Sequence, residues 1–214
     1  MREDLQRLKS SVEGRTVFIL GGGPSVTPEI LQTLNNRTSK VFCLNSSAKA
    51  ILNPLGLMWC DESWASQNLD YINTLKCPKF YVKHNGQTHI QKGIYGIGRS
   101  TILHKSGDFG LDPDINNVRG NNSGANAINL LINCKAAQIG LIGFDMNVAK
   151  NNVAHFHKDY TYAIRPSVYK DLFIPSIESM KESMDAAGIP TKVFNCNKFS
   201  ALKCFEYKEL EKML

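Results

Sequence analysis

A run of three glycines follows the first strongly apolar segment of this chain, and it constrains the fold more than any other feature. Residues 16–20 are apolar and β-prone, residues 21–23 are all glycine, and a segment with helical spacing begins after residue 25. This order is typical of a strand, a tight turn and a helix N-terminus in an α/β protein. Glycines let backbone N–H groups approach a phosphate, and a helix N-terminus carries partial positive charge. The sequence therefore predicts a nucleotide-phosphate site at Gly21, Gly22, Gly23, Pro24 and Ser25.

Strand-like and helix-like segments alternate along most of the chain. The expected strands are 16–20, 40–44, 57–60, 79–82, 138–142 and 191–194, and the expected helices are 1–13, 27–34, 123–134, 169–187 and 206–213. Continuously apolar strands that alternate with helices are typical of a parallel sheet covered on both faces. We therefore predict a Rossmann-like, doubly wound α/β fold with a mainly parallel sheet and helices on both faces.

The 214 residues are predicted to form a single nucleotide-binding domain. The region from about 83 to 120 is rich in glycine, lysine and asparagine, and only a short strand near 101–103 is expected in it. A long connection inside a compact domain usually has a use, such as closing over a ligand. We predict a loop-rich lid or acceptor-binding insertion there.

Composition limits the class of protein and its partners. Hydrophobic residues make up 43% of the chain and charged residues 21%, as in an ordinary soluble protein. No apolar run reaches the length of a membrane span, and the charged N-terminal residues do not resemble a signal peptide. Six cysteines are scattered without a CxxC pair, which favours reduced thiols and a cytoplasmic location. The net charge of +6 weakly favours anionic partners such as nucleotides, nucleic acids or acidic glycans.

Candidate ligand-binding residues follow the other strands, because open α/β sheets bind ligands beyond the carboxyl ends of their strands. Amide, hydroxyl and carboxylate side chains dominate, and these can bond ribose hydroxyls, base edges and phosphate groups. The candidates are Asn45, Ser46, Asp61, Asn122, Ser123, Gly124, Gly143 and Asp145. Capping of helices and turns is an alternative role for Asp61, Asn122 and Asp145.

Two histidines are the most reactive candidates. His155 and His157 are alternate residues of an extended stretch, so both rings are expected to face one site. Histidine suits general-base catalysis near neutral pH. Asp145 accompanies them in the predicted catalytic group. The pair could instead bind a divalent metal with Asp145 or Asp159, or lie on a surface loop without a function.

Four motifs in a fixed order carry a family resemblance. They are Gly-Gly-Gly-Pro-Ser at 21–25, Leu-Asn-Ser at 44–46, Asn-Ser-Gly-Ala at 122–125 and Ile-Gly-Phe-Asp-Met at 142–146. The chain resembles the family 42 sialyltransferases of bacterial cell-surface glycans. It also resembles flagellin-glycosylation accessory proteins and archaeal hydroxymethylpterin pyrophosphokinases of the same architecture. The similarity is greatest to phage-encoded members of this set, covers most of residues 16–205 and is absent from about 83 to 118.

The resemblance implies a binding site for a nucleotide-linked donor. The family's nucleotide-holding motifs fall on Gly21, Gly23, Pro24, Ser25, Asn45, Ser123 and Gly124, with Gly143 near a phosphate. The family's catalytic base is a histidine after the Ile-Asp stretch, a place that His155 or His157 takes here. Gly22 stands where the family has asparagine, and Tyr160 and Tyr162 are candidates for its tyrosine pair at the phosphate.

Three functions remain open at this point. The leading hypothesis is a glycosyltransferase that moves a sugar from a CMP- or UDP-linked donor to a hydroxyl of a glycan or of a modified DNA base. The second is a pyrophosphokinase-like enzyme that uses ATP and Mg²⁺, with Asp61, Asp145 and Asp159 as metal ligands. The third is a nucleotide-binding protein without catalysis. A bacterial or phage-infected cell is the expected setting, a homo-oligomer is compatible with the sequence, and no resident metal is assigned.

Overall fold

The computed structural model describes residues 2–84, 100–148, 153–160 and 165–214, and within them the chain forms an open, all-parallel sheet with helices on both faces. The described strands are β1 (Thr16–Leu20), β2 (Val41–Leu44), β3 (Gly56–Trp59), β4 (Lys79–Lys83), β5 (Thr101–Gly107), β6 (Asn117–Arg119), β7 (Gln138–Ile142), β8 (Lys192–Asn195) and β9 (Glu206–Tyr207). The predicted Rossmann-like α/β fold is confirmed.

Some of the described helices begin at a side-chain cap. The helices are α1 (Glu3–Val12), α2 (Pro28–Arg37), α3 (Glu62–Gln67), α4 (Leu69–Thr74), α5 (Ser123–Asn133), α6 (Pro166–Val168) and α7 (Ile174–Ala186). A π-helical segment, Tyr169–Phe173, joins α6 to α7. Thr27 Oγ1 accepts a hydrogen bond from the Ile30 N–H at the start of α2, where Pro28 is the first helical residue.

The strand order places a crevice at the middle of the sheet. The order is β6-β5-β4-β3-β2-β1-β7-β8-β9, so β1 lies between β2 and β7. The chain builds outward from β1 to β6, returns through α5 to β7 and then continues in the other direction. Leu20 at the end of β1 is in register with Cys43 of β2 and Ile142 of β7. Open α/β sheets bind ligands at the carboxyl ends of their strands, at such a reversal of strand order.

Both faces of the sheet are buried, which explains the continuously apolar strands. Alternate residues of β1 point to opposite faces, so Val17 and Ile19 belong to one core cluster and Phe18 and Leu20 to the other. The first cluster includes residues of α1, α5 and α7, and the second includes residues of α2, α3 and α4.

Residues 100–120 are more regular than the sequence predicts. The expected short strand extends to Gly107, and Asn117–Arg119 adds a strand at the edge of the sheet. The fully buried Asn129 of α5 fixes the connection, because its side-chain oxygen accepts from the N–H groups of Asp112 and Arg119. This segment is therefore part of the packed domain. Residues 85–99 of the predicted insertion lie outside the described residues.

The prediction of a helix over 206–213 was wrong. Glu206 and Tyr207 pair in parallel with Phe194 and Asn195 of β8, and a short 3-10 helix, Leu210–Lys212, follows. The free edge of β8 presents backbone N–H and C=O groups that can pair with another strand. The spacing of apolar residues in the sequence does not show this pairing, so it predicted a helix instead. Among the described residues, no helix is long and apolar enough to cross a bilayer.

Candidate functional site

A cavity of about 260 Å³ lies at the carboxyl ends of the central strands. Most of the predicted site residues line it, namely Gly21, Gly22, Gly23, Asn45, Asp61, Asn122, Ser123, Gly124, Gly143, Asp145, His155 and His157. These residues come from the ends of β1, β2, β3 and β7, from the start of α5 and from the loop 153–160. The rule that ligand sites follow strand ends therefore locates this cavity from the sequence.

Three predicted residues do not line the cavity, namely Pro24, Ser25 and Ser46. Ser46 is buried, and its hydroxyl oxygen accepts a hydrogen bond of 2.7 Å from Trp64 Nε1. Its observed role is therefore to hold α3 against the sheet. Ser25 lies behind the glycine turn and binds Asp145 instead.

The glycine turn uses most of its amides within the protein. The Gly21 N–H donates to the Ile142 carbonyl at 2.8 Å, and the Gly23 N–H donates to the Gly143 carbonyl at 2.9 Å. The Ser25 N–H donates to Asp145 Oδ1 at 3.1 Å. The Gly22 N–H has no hydrogen-bond partner among the described residues. Of the amides expected to bind a phosphate, the turn thus leaves that of Gly22 open.

The carboxylate of Asp145 is bound by the turn that precedes α2. It accepts hydrogen bonds from the Ser25 hydroxyl at 2.8 Å and from Asn197 Nδ2 at 3.1 Å, besides the Ser25 N–H. Burial raises the pKa of Asp145, and the hydrogen bonds from Ser25 and Asn197 oppose that shift. A Cβ on Gly23 would lie 1.9 Å from Asp145 Oδ2, so glycine is required there. These contacts show that Asp145 holds the turn, and its place in the predicted catalytic group stays a prediction.

The N-terminus of α5 offers amides that are not engaged. Asn122 caps the helix, because its Oδ1 accepts from the Ala125 N–H at 2.9 Å. The N–H groups of Ser123 and Gly124 have no partner in the described part of the chain. The Ser123 hydroxyl donates to Cys60 Sγ at 3.2 Å. Because α5 spans 11 residues, its first turn presents partial positive charge to the cavity.

The two histidines face the cavity together, as alternate residues of an extended stretch should. The Phe156 N–H between them donates to the Gly22 carbonyl at 2.9 Å, which fixes the loop on the glycine turn. The rings of His155 and His157 are stacked, with centroids 5.3 Å apart and an interplanar angle of 15°. Tyr160 packs against both rings, and its hydroxyl oxygen accepts a hydrogen bond of 2.7 Å from Asn45 Nδ2.

Burial makes both histidines weak bases. It lowers the pKa of His155, and the backbone of Gly22 offsets part of that shift. Burial, together with His155 and Lys49, lowers the pKa of His157 to about 4 against the opposing effect of Asp159. Both rings are therefore neutral at pH 7 and can accept a proton.

Several polar side-chain atoms at this wall are buried without a regular hydrogen bond. Both ring nitrogens of His155, Nδ1 of His157 and Oδ1 of Asn45 are buried and make no hydrogen bond of regular geometry within the described residues, and the backbone of Gly22 is a polar group that acts on the His155 ring. Buried polar groups are normally paired, so an unpaired group in a native protein needs an explanation. Their grouping along one wall of the cavity singles out this wall as a candidate functional site.

Two of the three non-glycine residues with a positive φ in the described part of the chain line the cavity, and the third, Lys135, does not. Asn45 and Met146, which follow β2 and β7, have φ angles of 48° and 52°. Side chains other than glycine rarely adopt this left-handed conformation, although asparagine tolerates it better than methionine. Strain of this kind is retained mainly at functional sites.

The carboxylates proposed as magnesium ligands have separate partners. Asp61 caps α3 by accepting from the N–H groups of Ser63 and Trp64. Asp159 forms an ion pair with Lys49, and Asp145 is bound to the glycine turn. Across the described ranges, no three His, Cys, Asp or Glu side chains are grouped as a metal site would require.

Several residues that line the cavity were not among the predicted site residues, namely Cys60, Phe144, Met146, Asn147, Ala154, Tyr169 and Phe173. Cys60 and Phe144 follow strand ends, so the positional rule could have found them. Tyr169 and Phe173 are brought to the cavity by the π-helical segment, and no sequence pattern indicated that geometry. Tyr160 lines the cavity, whereas Tyr162 lies outside the described residues.

Comparison of the chain with protein-family models and with curated proteins gives no match. The family resemblance drawn from the four motifs therefore stays a prediction.

Proposed function

We propose that this protein is a transferase that uses a nucleotide-activated donor, and that the transferred group is a sugar. One observation carries the proposal: unengaged amides at the start of α5 and two neutral imidazoles share a cavity at the carboxyl ends of the sheet. Amides suit the phosphate of a donor, and a neutral imidazole suits the hydroxyl of an acceptor.

The donor phosphate is assigned to the amides of Ser123, Gly124 and Gly22. The turn before α2 already binds the carboxylate of Asp145, which accepts from both the N–H and the hydroxyl of Ser25. A second anion beside this carboxylate would be repelled, whereas the α5 amides have no competing partner among the described residues. As the bond from the sugar to the phosphate breaks, these amides stabilise the charge that develops on the leaving nucleotide.

An imidazole takes the acceptor proton. The acceptor oxygen forms a bond to the anomeric carbon of the sugar while the bond from that carbon to the phosphate oxygen breaks. The hydroxyl proton passes to His157 or His155, and the bonding electrons leave with the nucleotide phosphate. The lowered pKa values keep both imidazoles neutral at pH 7, the form that can accept the proton, and they also make His157 a weaker base than a free imidazole.

The motifs favour a sialyltransferase-like enzyme with a CMP- or UDP-linked donor. A hydroxyl of a glycan or of a modified DNA base is the proposed acceptor, in the cytoplasm of a bacterial or phage-infected cell. The ATP-dependent alternative has less support, because Asp61, Asp145 and Asp159 each bind a separate protein partner.

A ligand screen by thermal unfolding tests the donor class. The protein is heated with CMP, UDP, GDP, ATP or CMP-sialic acid, each with and without Mg²⁺. A specific nucleotide at 100 times its Kd stabilises a protein by about 2.7 kcal/mol. For a chain of this size we expect a pyrimidine nucleotide to raise the Tm by about 5 to 11 °C without Mg²⁺.

Other outcomes of the screen contradict the proposal. A shift with ATP and Mg²⁺ alone would select the pyrophosphokinase hypothesis, and no shift with any nucleotide would exclude a nucleotide site in this cavity. Release of CMP from CMP-sialic acid, or of UDP from a UDP-sugar, followed by ³¹P NMR, separates an enzyme from a protein that only binds nucleotide.

A further inference from the structure

The two histidines of the cavity are not equivalent. Both ring nitrogens of His155 are buried and make no hydrogen bond of regular geometry within the described residues, and the Gly22 backbone acts on this ring. Of the His157 nitrogens, Nδ1 belongs to that buried group, whereas Nε2 does not. Nδ1 of His155 and Nε2 of His157 both lie toward Gly22, 2.9 Å and 3.2 Å from the place where a Cβ on that residue would stand. Of these two atoms only His155 Nδ1 belongs to the buried group, so the contact with an acceptor hydroxyl is assigned to Nε2 of His157.

The rings of His155, His157 and Tyr160 form a cluster in which each ring contacts the other two. The ring centroid of His155 lies 5.3 Å from that of His157 and 4.7 Å from that of Tyr160, and the centroids of His157 and Tyr160 are 5.3 Å apart. The backbone hydrogen bond from Phe156 to Gly22 fixes the residue between the two histidines, and the bond from Asn45 to the Tyr160 hydroxyl fixes the third ring. A ring confined in this way limits the rotation of the imidazole stacked on it.

We propose that His155 is a positioning residue for His157: it touches no substrate, and its stacked ring holds the His157 imidazole with Nε2 presented to the cavity. The catalytic part of this role rests on the proposed function, whereas the control of one ring by the other does not. A base displaced by about 1 Å from the productive geometry loses roughly 100-fold in rate.

His155 also opposes protonation of His157. The groups that act electrostatically on the His157 ring are His155, Asp159 and Lys49, with the Tyr160 ring packed against it. Two imidazolium ions at this separation repel each other, so protonation of one ring suppresses protonation of the other. Asp159 acts in the opposite sense but is paired with Lys49.

The test compares His155→Phe and His155→Ala with the wild-type protein and a control, His104→Phe, which replaces an exposed histidine of β5. Histidine side-chain NMR signals are followed from pH 8 to pH 3.5. The phenylalanine variant keeps a stacked ring without a titrating group, so we expect the His157 midpoint to rise by roughly one unit. The alanine variant also admits water and frees the His157 ring, so we expect a larger rise. The control should leave the midpoint unchanged.

Turnover separates positioning from electrostatics. With a donor found by the ligand screen, His155→Ala should lower kcat by roughly 100-fold with little change in KM. His155→Phe should retain most of the wild-type kcat, because it keeps a ring at this position. An unchanged His157 midpoint in both variants, or His155→Ala turning over at the wild-type rate, would overturn the proposal. If no donor is turned over by the wild-type protein, the proposed function fails while the titration still decides whether His155 controls His157. The histidine spectra report in the same samples whether each variant is folded.

Discussion

His157→Gln is expected to abolish most transfer while leaving nucleotide binding intact. A positioned general base contributes about 10² to 10⁴ in rate, so kcat should fall by that factor, which corresponds to about 3 to 5 kcal/mol of barrier. The donor phosphate is assigned to the amides at the start of α5, on which this substitution does not act. The measurement is initial-rate kinetics with the donor that stabilises the protein, together with a binding titration of the same nucleotide.

The matched control for this prediction is His104→Gln. His104 is exposed on β5, away from the cavity lining, and its replacement should leave kcat and nucleotide affinity unchanged. If His157→Gln keeps more than a tenth of the wild-type rate, His157 is not the base. Joint loss of affinity and rate would instead assign His157 to donor binding.

Gly23→Ala is expected to cause a large loss of stability. The new Cβ would lie 1.9 Å from Asp145 Oδ2 and 2.5 Å from the Gly143 carbonyl oxygen. Asp145 must then leave its hydrogen bonds with Ser25, and the backbone after β7 must shift. Overpacking and broken buried hydrogen bonds together should cost about 3 kcal/mol, which lowers the Tm by about 6 to 12 °C.

Gly107→Ala provides the comparison for this substitution. The nearest atom to a Cβ on Gly107 is Arg119 Nε at 3.7 Å, which is an ordinary contact. Its stability should stay within about 0.5 kcal/mol of the wild-type value, as for most substitutions without a specific defect. Equal melting temperatures for the Gly23 and Gly107 variants would show that Asp145 does not hold the glycine turn as described.

The sequence was sufficient for the fold because its strongest signals are local. The strands at 16–20 and 138–142 are buried on both faces and read as continuous apolar runs, and Pro28 and Asn122 mark helix starts. Once these elements are known, the ends of the parallel strands bring Asn45, Gly143 and the glycine turn to one edge. The edge strand β9 was missed, because its pairing with β8 depends on backbone groups rather than on apolar periodicity.

Which backbone amides of the site are open to a ligand could not be predicted from the sequence, because this depends on contacts between residues far apart in the chain. Ser25 and Asp145 are 120 residues apart, and their hydrogen bonds decide which amides remain open to a ligand. The sequence assigned the phosphate to the whole glycine turn and catalysis to Asp145. In the folded protein the carboxylate takes the Ser25 N–H and hydroxyl, and the open amides are those of Gly22 and the start of α5. Only the three-dimensional arrangement could make this distinction.

Backbone amide NMR during a nucleotide titration tests the central claim most directly. With a pyrimidine nucleotide, the ¹H–¹⁵N signals of Gly22, Ser123 and Gly124 should shift most, and that of Ser25 should stay in place because Asp145 keeps its N–H engaged. The opposite pattern, with Ser25 and Gly23 shifting while Ser123 and Gly124 do not, would mean that the ligand displaces Asp145 and binds at α2. That result would contradict the account.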